Sequence, residues 1–459
     1  MPYPVTSPSR TTSRFRELAR NHDFTVLWVG QTVSELGTRI SMFVFPLIAY
    51  AVTGSVLWAG LVGSAELVGL TAALLPAGVL ADRVDRRLVL RCSAAAGALS
   101  FGSLTGAALL GAVTLPHLMA VAVVSGAAAG VFMPTELAAV RTVVPREQLP
   151  AALSQNQARQ HVAALVGGPV GGALYGVARW LPFLVNTVTF AFSWLMLGRL
   201  RTDLSPAPRP AQKRSAVADL REGASYAAKH PLFRTLTIWS CLTNLTMNVL
   251  FTVAVLRLVE GGVDPLHIGL VETVAGGSGI LGAVLAPWLI DRVPTGWLTI
   301  AIAWSPLPLV VPMAIWAHPA VVAAALGCVL VLNPAGNAGM SSYRISVTPD
   351  ALVARVQSAT QFVGMSSLPL APVVAGGLLS LTDGATAILV AGLLCGLTAL
   401  IPTGSRWIRS VPRPADWDTA QTSEPLAGSR SVTQYASPEG SDSTVQNSST
   451  ERTLAPSVS

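Results

Sequence analysis

The chain has 459 residues, of which 51% are hydrophobic and only 12% are charged, and its mean hydropathy is +0.56. Because soluble proteins carry about 25% charged residues, this composition excludes an ordinary soluble domain and indicates a protein that crosses a membrane several times. The net charge of +7 also occurs in nucleic-acid-binding proteins, so the position of the charges must decide between the two classes.

Apolar stretches of about 20 residues, the length at which an α-helix crosses a hydrocarbon core of ~30 Å, alternate with short polar segments from Phe24 to Pro402. They predict an all-α membrane protein with twelve transmembrane helices. The predicted spans are 24–50, 57–81, 88–112, 116–140, 151–177, 181–199, 232–257, 266–290, 296–316, 319–343, 352–380 and 384–402.

The basic residues lie almost entirely on one side of the predicted bundle. With the N-terminus placed in the cytoplasm, the segments on that side before the C-terminal tail contain 21 Lys and Arg residues, whereas the opposite loops contain only Arg179 and Arg257. This is the positive-inside pattern. It predicts a multi-pass protein of the plasma membrane, surrounded by lipid, with both termini in the cytoplasm and without a nucleic-acid partner.

Two polar regions interrupt the rhythm of the spans. The first contains the sequence PAPRPAQKR and is long enough to link two six-helix bundles. The second is rich in Ser, Thr, Pro and Gly, so we expect it to be disordered. The predicted organisation is a cytoplasmic N-terminal segment at 1–23 without a secretory signal, an N-terminal bundle at 24–199, a linker at 200–231, a C-terminal bundle at 232–403 and a disordered cytoplasmic tail at 404–459.

An internal repeat supports the division into two bundles of six helices. The run VRTVVPREQLPAALSQNQ from Val140 resembles YRISVTPDALVARVQSATQ from Tyr343. Because six spans separate the two copies, both lie on the same membrane face, which predicts two parallel repeats about an axis along the membrane normal. The matched pairs are Arg141 with Arg344, Pro145 with Pro349, Leu149 with Leu352, and Gln155 with Gln357, at offsets of 203, 204, 203 and 202 residues.

A dense charge cluster, GVLADRVDRRLVL, lies between the second and third spans. A carboxylate at the end of helix 2, such as Asp82, can accept hydrogen bonds from a helix N-terminus and can pair with Arg141. Contacts of this kind, made in one conformation and broken in the other, bias a two-state equilibrium. The alternative is that the arginines only fix the topology. The candidate gating residues are Gly78, Asp82, Arg83, Arg86, Arg87 and Arg141.

The fifth span contains the sequence LVGGPVGGALYG. Gly168, Gly172 and Gly176 recur every four residues, so they lie on one helix face and allow a second backbone to approach closely. Pro169 removes a backbone donor and favours a bend. The alternative is a tight helix crossing with no role in transport.

Ionisable side chains inside the spans are costly and persist mainly where they face a cavity or a partner. Glu35 and Arg39 are four residues apart and can neutralise each other, so we expect a structural pair. Glu66 has no basic neighbour one turn away and is the best candidate for a proton carrier. Arg159 of helix 5 could reach Glu66 and hold it ionised, or could bond to neighbouring backbone.

Two further carboxylates, Glu136 and Glu272, are weaker candidates because we expect their shallow positions to reach water. The polar run SQNQARQH in helix 5 cannot face lipid, so it lines a cavity or bonds to adjacent helices. We expect a substrate cavity near the midplane between the two bundles. The candidate cavity residues are Asn156, Gln157, Gln160, Asn244, Asn248, Asn337, Gln357 and Gln361.

Over about residues 20–403 the chain resembles the major facilitator superfamily of transporters, and within it the macrolide and siderophore exporters of the enterobactin type. GVLADRVDRR resembles the superfamily signature, with Asp85 where the family usually has a glycine. LVGGPVGGALYG resembles the glycine-proline motif of the antiporters, with Ala173 in place of one glycine. The resemblance implies a conformational gate at Asp82, alternating access, and export as the direction.

The sequence has no GxxxxGK[ST] phosphate loop, HExxH motif, Cys/His ligand pattern or GxSxG elbow. We therefore expect no enzyme activity, no catalytic residue, no cofactor, no metal and no direct use of ATP. An ion gradient, most simply of protons, would supply the energy. We expect a monomeric proton-coupled exporter of a small amphipathic compound. The alternatives are a transport-inactive scaffold or receptor that uses the Ser/Thr-rich tail, and an uptake carrier of the same superfamily.

Overall fold

The structure is a computed structural model that describes residues 18, 20–145, 148–205, 216–349 and 352–417. Within these residues the regular secondary structure is entirely helical. The helices are α1 (His22–Thr53), α2 (Val56–Arg83), α3 (Arg86–Leu109), α4 (Leu115–Val143), α5 (Leu149–Val177), α6 (Leu181–Gly198), α7 (Ala216–Lys229), α8 (Pro231–Glu260), α9 (Pro265–Arg292), α10 (Thr295–Trp304), α11 (Leu307–Ile315), α12 (Pro319–Ser346), α13 (Val353–Met365), α14 (Leu370–Leu381), α15 (Gly384–Gly404) and α16 (Arg406–Arg409).

Eleven segments of the described residues are long and apolar enough to cross a membrane. This confirms the predicted all-α, multi-pass membrane fold. The fifth predicted span, which corresponds to the 29-residue helix α5, is not among these eleven segments. Its polar run Ser154–His161 lowers its hydropathy below that of the other spans. The count of twelve transmembrane helices therefore stays a prediction.

Two of the predicted spans are each broken into two helices. The ninth span consists of α10 and α11, which are separated at Ser305 and Pro306. The eleventh consists of α13 and α14, which are separated at Ser366–Pro369. A proline has no N–H to donate to the preceding turn, and both breaks contain one.

Helices α1 to α6 form the N-terminal half. Three of its helices meet at aromatic rings: the ring centroid of Phe45 on α1 lies 5.8 Å from that of Phe101 on α3 and 6.4 Å from that of Phe183 on α6. These three rings are among the most deeply buried side chains of the described residues. They belong to a buried apolar cluster that continues into the C-terminal half.

The N-terminal half meets the C-terminal half, α8 to α15, chiefly through two helix pairs, α2 with α14 and α5 with α9. A Cβ added to Gly60 would lie 2.2 Å from the carbonyl oxygen of Pro372, and a Cβ added to Gly269 would lie 2.4 Å from that of Gly168. Gly60 and Gly269 are 209 residues apart in the sequence, and Pro169 and Pro372 are 203 apart. The two interfaces are therefore equivalent, as two parallel repeats require.

We call the face at which α1 begins the terminal face, and the face at which α1 ends the opposite face. The start of α2 at Val56 and the start of α9 at Pro265 lie at the opposite face. Gly60 and Gly269 each lie four residues, about 6 Å, inside these ends. The halves are therefore closed against each other toward the opposite face.

The region predicted as a polar linker, 200–231, contains the helix α7. This helix docks on α13 of the C-terminal half: a Cβ added to Gly223 would lie 2.2 Å from the carbonyl oxygen of Arg355. The Arg355 guanidinium also binds the Glu222 carboxylate at 3.0 Å. Before α7, the Asp23 carboxylate accepts the backbone N–H groups of Arg201 at 3.0 Å and Thr202 at 2.7 Å.

The predicted disordered tail begins later than residue 404. Ile408 and Val411 are buried among side chains of the C-terminal half, and the N–H of Gly296 donates to the carbonyl oxygen of Val411 at 3.1 Å. The apolar side chains of this short segment anchor it to the bundle. The rest of the predicted tail, 418–459, lies outside the described residues.

Candidate functional site

A cavity of about 360 Å³ lies between the two halves, behind the closed interfaces. Helices α1, α2 and α5 of the N-terminal half and α8, α9 and the α13–α14 segment of the C-terminal half form its wall. Most of the wall is apolar, and its charged side chains are Arg39, Glu66 and Glu272. The larger apolar side chains on the wall are Met42, Phe43, Leu47, Leu67, Phe251, Leu256, Ile268 and Leu368.

The predicted pair of Glu35 and Arg39 is present near the middle of α1. The Nε and Nη2 atoms of Arg39 both lie 3.1 Å from Oε1 of Glu35. The spacing of four residues places the two side chains on the same helix face. Arg39 also forms part of the cavity wall, so its guanidinium, although paired with Glu35, lies on the same wall as Glu66 and Glu272.

Glu66 enters the cavity from the N-terminal half. It lies ten residues, about 15 Å, along α2, and its exposed fraction is 7%. Among the described residues, its carboxylate has no hydrogen-bond or ion-pair partner. A carboxylate buried without a partner is a costly feature of a structure, and such groups concentrate at functional sites in membrane proteins.

Glu272, which the sequence ranked as a weaker candidate because of its expected shallow position, enters the same cavity from the C-terminal half. It lies on α9 against α5, where its Oε2 is 2.7 Å from the position of a Cβ added to Gly168. The tight crossing of the two helices keeps the carboxylate on the cavity wall.

Arg159 binds Glu136, and the prediction that Arg159 could reach Glu66 was wrong. Nη2 of Arg159 lies 2.8 Å from Oε1 of Glu136, and the exposed fractions of the two residues are 5% and 9%. Glu136 is therefore paired and buried rather than extended to water. The pair joins α4 to α5 within the N-terminal half, so Arg159 is not the partner of Glu66.

Of the eight predicted cavity amides, the described wall includes Asn248. Others bond close to their own helix: Asn337 donates to Asn333, and Gln157 lies 3.2 Å from the ring of His161. Asn244 donates to the Gly364 carbonyl oxygen, Gln361 contacts Met365, Gln357 lines a separate small pocket, and Asn156 and Gln160 are half-buried on α5.

The glycine motif of α5 serves two helix contacts. Gly168 and Gly172 lie against α9 of the C-terminal half, while Gly167 and Gly171 lie against α1. Gly176 has no atom within 4 Å of an added Cβ, so the predicted glycine face ends at Gly172. Pro169 lies within the continuous helix α5.

The candidate gate is described in part. Gly78, Asp82 and Arg83 lie in the last part of α2, and their side-chain surroundings lie outside what the structure describes. Arg86 donates to the Thr142 hydroxyl at 3.0 Å, and Arg87 donates to the carbonyl oxygens of Leu197 and Gly198 at 3.3 Å and 3.2 Å. Arg141 is exposed near the end of α4. The Asp85 carboxylate caps α3 by accepting the N–H of Arg87 at 2.9 Å.

The family model of the Major Facilitator Superfamily matches residues 27–372. The chain belongs to this superfamily. Its members are membrane carriers of small molecules rather than enzymes, which confirms the predicted family and class. The resemblance to the macrolide and siderophore branch stays a prediction.

Two curated relatives are similar to this chain. The uncharacterized MFS-type transporter YfiS of Bacillus subtilis is 23% identical over 264 residues, which cover 56% of this chain and 62% of the relative. The multidrug efflux pump Tap of Mycobacterium tuberculosis is 25% identical over 298 residues, which cover 60% of this chain and 69% of the relative. The chain thus matches under two thirds of the length of YfiS.

Solved structures share the fold. The nucleoside transporter NupG, as its D323A mutant, superposes with a TM-score of 0.65 at 14% identity and covers 82% of this chain and 99% of NupG. The inward-facing bacterial homologue of the iron transporter ferroportin superposes with a TM-score of 0.60 at 17% identity and covers 88% of this chain and 100% of the homologue. At these identities the likeness shows the fold alone.

Proposed function

We propose that this protein is a proton-coupled exporter of small amphipathic compounds that works by alternating access, with its terminal face in the cytoplasm. The observation that carries the proposal is Glu66, a buried carboxylate without a partner on the wall of a cavity between two halves that belong to a transporter fold. The predominantly apolar wall suits an amphipathic cargo, because apolar surface selects for size and amphipathicity rather than for one hydrogen-bond pattern.

The position of Glu66 gives it the chemistry of a proton carrier. An ionised carboxylate in a low-dielectric cavity costs at least ~2.5 kcal/mol, so it is stable there when it holds a proton or a cationic group. When the cavity opens to water, the water solvates the carboxylate and stabilises its ionised form, so the proton can leave. A movement that exposes Glu66 alternately to the two membrane faces would therefore carry protons down their gradient.

The two interfaces between the halves supply the movement. The contacts of α2 with α14 and of α5 with α9 consist largely of backbone packed against backbone at glycines. Contacts of this kind need close approach and can separate as rigid surfaces, unlike an interlocked core. Rocking of the halves would part both interfaces together, since they are equivalent, and would open the cavity to the opposite face.

The charge distribution and the relatives support the proposed orientation and direction. The excess of basic residues on the terminal face favours the cytoplasm for that side. Two observations favour export: the curated relative Tap is a multidrug efflux pump, and the glycine-proline motif of α5 resembles that of the antiporters. Macrolide-like antibiotics and siderophores are the first compounds to test.

The test is uptake into inverted membrane vesicles, whose interior corresponds to the outside of the cell. We expect an imposed gradient, acidic inside, to drive accumulation of at least one member of a panel of macrolides, dyes and siderophores, compared with vesicles that lack the protein. Dissipation of the gradient should stop accumulation. Accumulation only in right-side-out vesicles would identify an uptake carrier, and the absence of any movement or binding across the panel would favour a scaffold or receptor.

A further inference from the structure

We infer that the C-terminal half binds a small inorganic anion, such as chloride, at Arg344. The site is a pocket of about 60 Å³ among α8, α10 and α12, and it shares no described residue with the wall of the transport cavity. The inference goes beyond the proposed function, because it depends on neither the cargo nor the direction of transport.

The pocket lies close to the terminal face, where α8 and α10 begin and α12 ends. Arg344 is two residues before the end of α12 at Ser346. Trp239 lies eight residues, about 12 Å, into α8, and Thr299 lies four residues into α10. Asn337 of the pocket wall is exposed, so the pocket is open to the surface at this side chain.

Arg344 is a half-buried arginine without a counter-ion among the described residues. Its Nε atom is buried and has no hydrogen-bond partner, and its guanidinium forms no ion pair with a described carboxylate. Two exposed carboxylates, Asp291 and Asp416, lie on neighbouring elements, and neither pairs with Arg344. Because a guanidinium stays protonated in proteins, its charge needs an anion that these side chains do not supply.

Other arginines of the bundle show how the protein accommodates such a charge. Arg159 pairs with Glu136 at 2.8 Å, and the guanidinium of Arg91 lies 4.3 Å from the centroid of a tryptophan ring. Arg141, which the repeat matches with Arg344, is exposed. Arg344 has neither a carboxylate nor full exposure to water, so its position favours an ion that comes from solution.

Three further hydrogen-bond donors line the same pocket. The indole N–H of Trp239 is buried and has no acceptor. The hydroxyl groups of Ser240 and Ser341 make no hydrogen bond within the part of the chain that the structure describes. Together with Arg344, four donor groups from α8 and α12 therefore surround a pocket whose described wall contains no carboxylate. Guanidinium, indole and hydroxyl groups can all donate to one anion.

The size and charge of the pocket favour a small anion over water, a cation or an organic anion. Water can accept hydrogen bonds from the neutral donors, but it does not offset the charge of Arg344. One water-sized particle needs roughly 15 Å³ of a cavity, so a pocket of about 60 Å³ holds an ion such as chloride with some water. Gluconate is too large for it, and a cation would be repelled by the guanidinium. A bound anion would link α8 to α12.

The test is thermal unfolding of the purified full-length protein in nanodiscs, in sodium gluconate that is replaced stepwise by sodium chloride at constant ionic strength. An ion that binds only the folded protein raises the melting temperature with its concentration. We expect chloride to raise the melting temperature of the wild type by roughly 2 °C or more. Arg344→Gln should lose this shift. Arg234→Gln, at an exposed arginine of α8, is the matched control and should keep it.

Two milder variants test the site even if Arg344→Gln does not fold. Trp239→Phe and Ser341→Ala each remove one donor and keep most of the shape of the pocket. Each should raise the chloride concentration at half of the shift several-fold. Wild-type values in both, an equal shift in Arg344→Gln, or no shift in the wild type would overturn the inference. Transport in vesicles is measured separately, so a failure of proton-coupled export would leave these results unchanged.

Discussion

Gly172 of α5 packs so closely on α9 that a Cβ at this position would lie 2.3 Å from the carbonyl oxygen of Pro265. The contact closes the cavity toward the opposite face, and it needs a residue without a side chain. Gly176, one turn further along α5, has no neighbour within 4 Å of an added Cβ. The two glycines therefore form a matched pair for testing the interface.

We expect Gly172→Val to prevent closure at the opposite face and to shift the protein toward the state that is open there. The measurement uses Leu256→Cys, which introduces a cysteine on the cavity wall. A maleimide that cannot cross the membrane is added at the opposite face, and the rate at which it modifies this cysteine is measured. All four native cysteines would first be replaced. Modification should become several-fold faster in Gly172→Val and stay unchanged in Gly176→Val; equal rates in the two variants would show that the interface is not the closed gate.

The buried pair of Glu136 and Arg159 should be structural. Removal of either partner leaves an uncompensated buried charge, so we expect Arg159→Met or Glu136→Gln to lower the free energy of unfolding by about 3 kcal/mol. The double variant should recover much of this loss, because no buried charge remains. Thermal unfolding in detergent of the wild type, the two single variants and the double variant measures these changes in stability. Loss of proton coupling in a stable double variant would instead assign the pair to the coupling mechanism.

Arg257 should stabilise the opposite-face end of the C-terminal half. Its two terminal nitrogens donate to the carbonyl oxygens of Met313 at 2.6 Å and Ala314 at 3.0 Å, near the end of α11 where the last carbonyls have no partner within the helix. We expect Arg257→Met to lower the free energy of unfolding by about 2 kcal/mol. Arg179→Met, at an exposed arginine of the same face, is the control and should change it little.

The linker helix α7 should detach from α13 when a large side chain replaces Gly223, at which the two helices are in close contact. A leucine at Gly223 would collide with the backbone of Arg355, so Gly223→Leu should undock α7 from α13. Limited proteolysis should then cut α7 faster than in the wild type. Ser225→Leu, on the exposed side of the same helix, should leave the rate unchanged, and equal protection of both variants would mean that α7 is not docked through Gly223.

The sequence predicted the spans and the repeat because both depend on local composition and on spacing along the chain. Glu35 and Arg39 were predicted as a pair for the same reason, since a separation of four residues fixes a shared helix face. The partner of Arg159 was not predictable, because Glu136 lies on another helix and only the packing of α4 and α5 brings them together. A resemblance to a family does not supply such contacts.

The cavity amides show the same limit. Asn337 and Gln157 were expected on the cavity wall because polar side chains in spans avoid lipid, yet the described wall includes neither, and each bonds to a residue four positions away. A hydrogen bond within one helix satisfies a polar group as well as a cavity does. The contact of Glu272 with Gly168 was not predictable either, because it depends on the packing of α9 against α5.

The most direct measurement is a comparison of two transport modes in one variant, Glu66→Gln, with Glu260→Gln as the control. Exchange of labelled for unlabelled cargo needs the cavity and the rocking of the halves but no net proton movement, whereas accumulation driven by a pH gradient needs the proton carrier. We expect Glu66→Gln to keep measurable exchange and to lose gradient-driven accumulation. Accumulation at the wild-type level in Glu66→Gln would contradict the assignment of Glu66 as the residue that couples protons to transport.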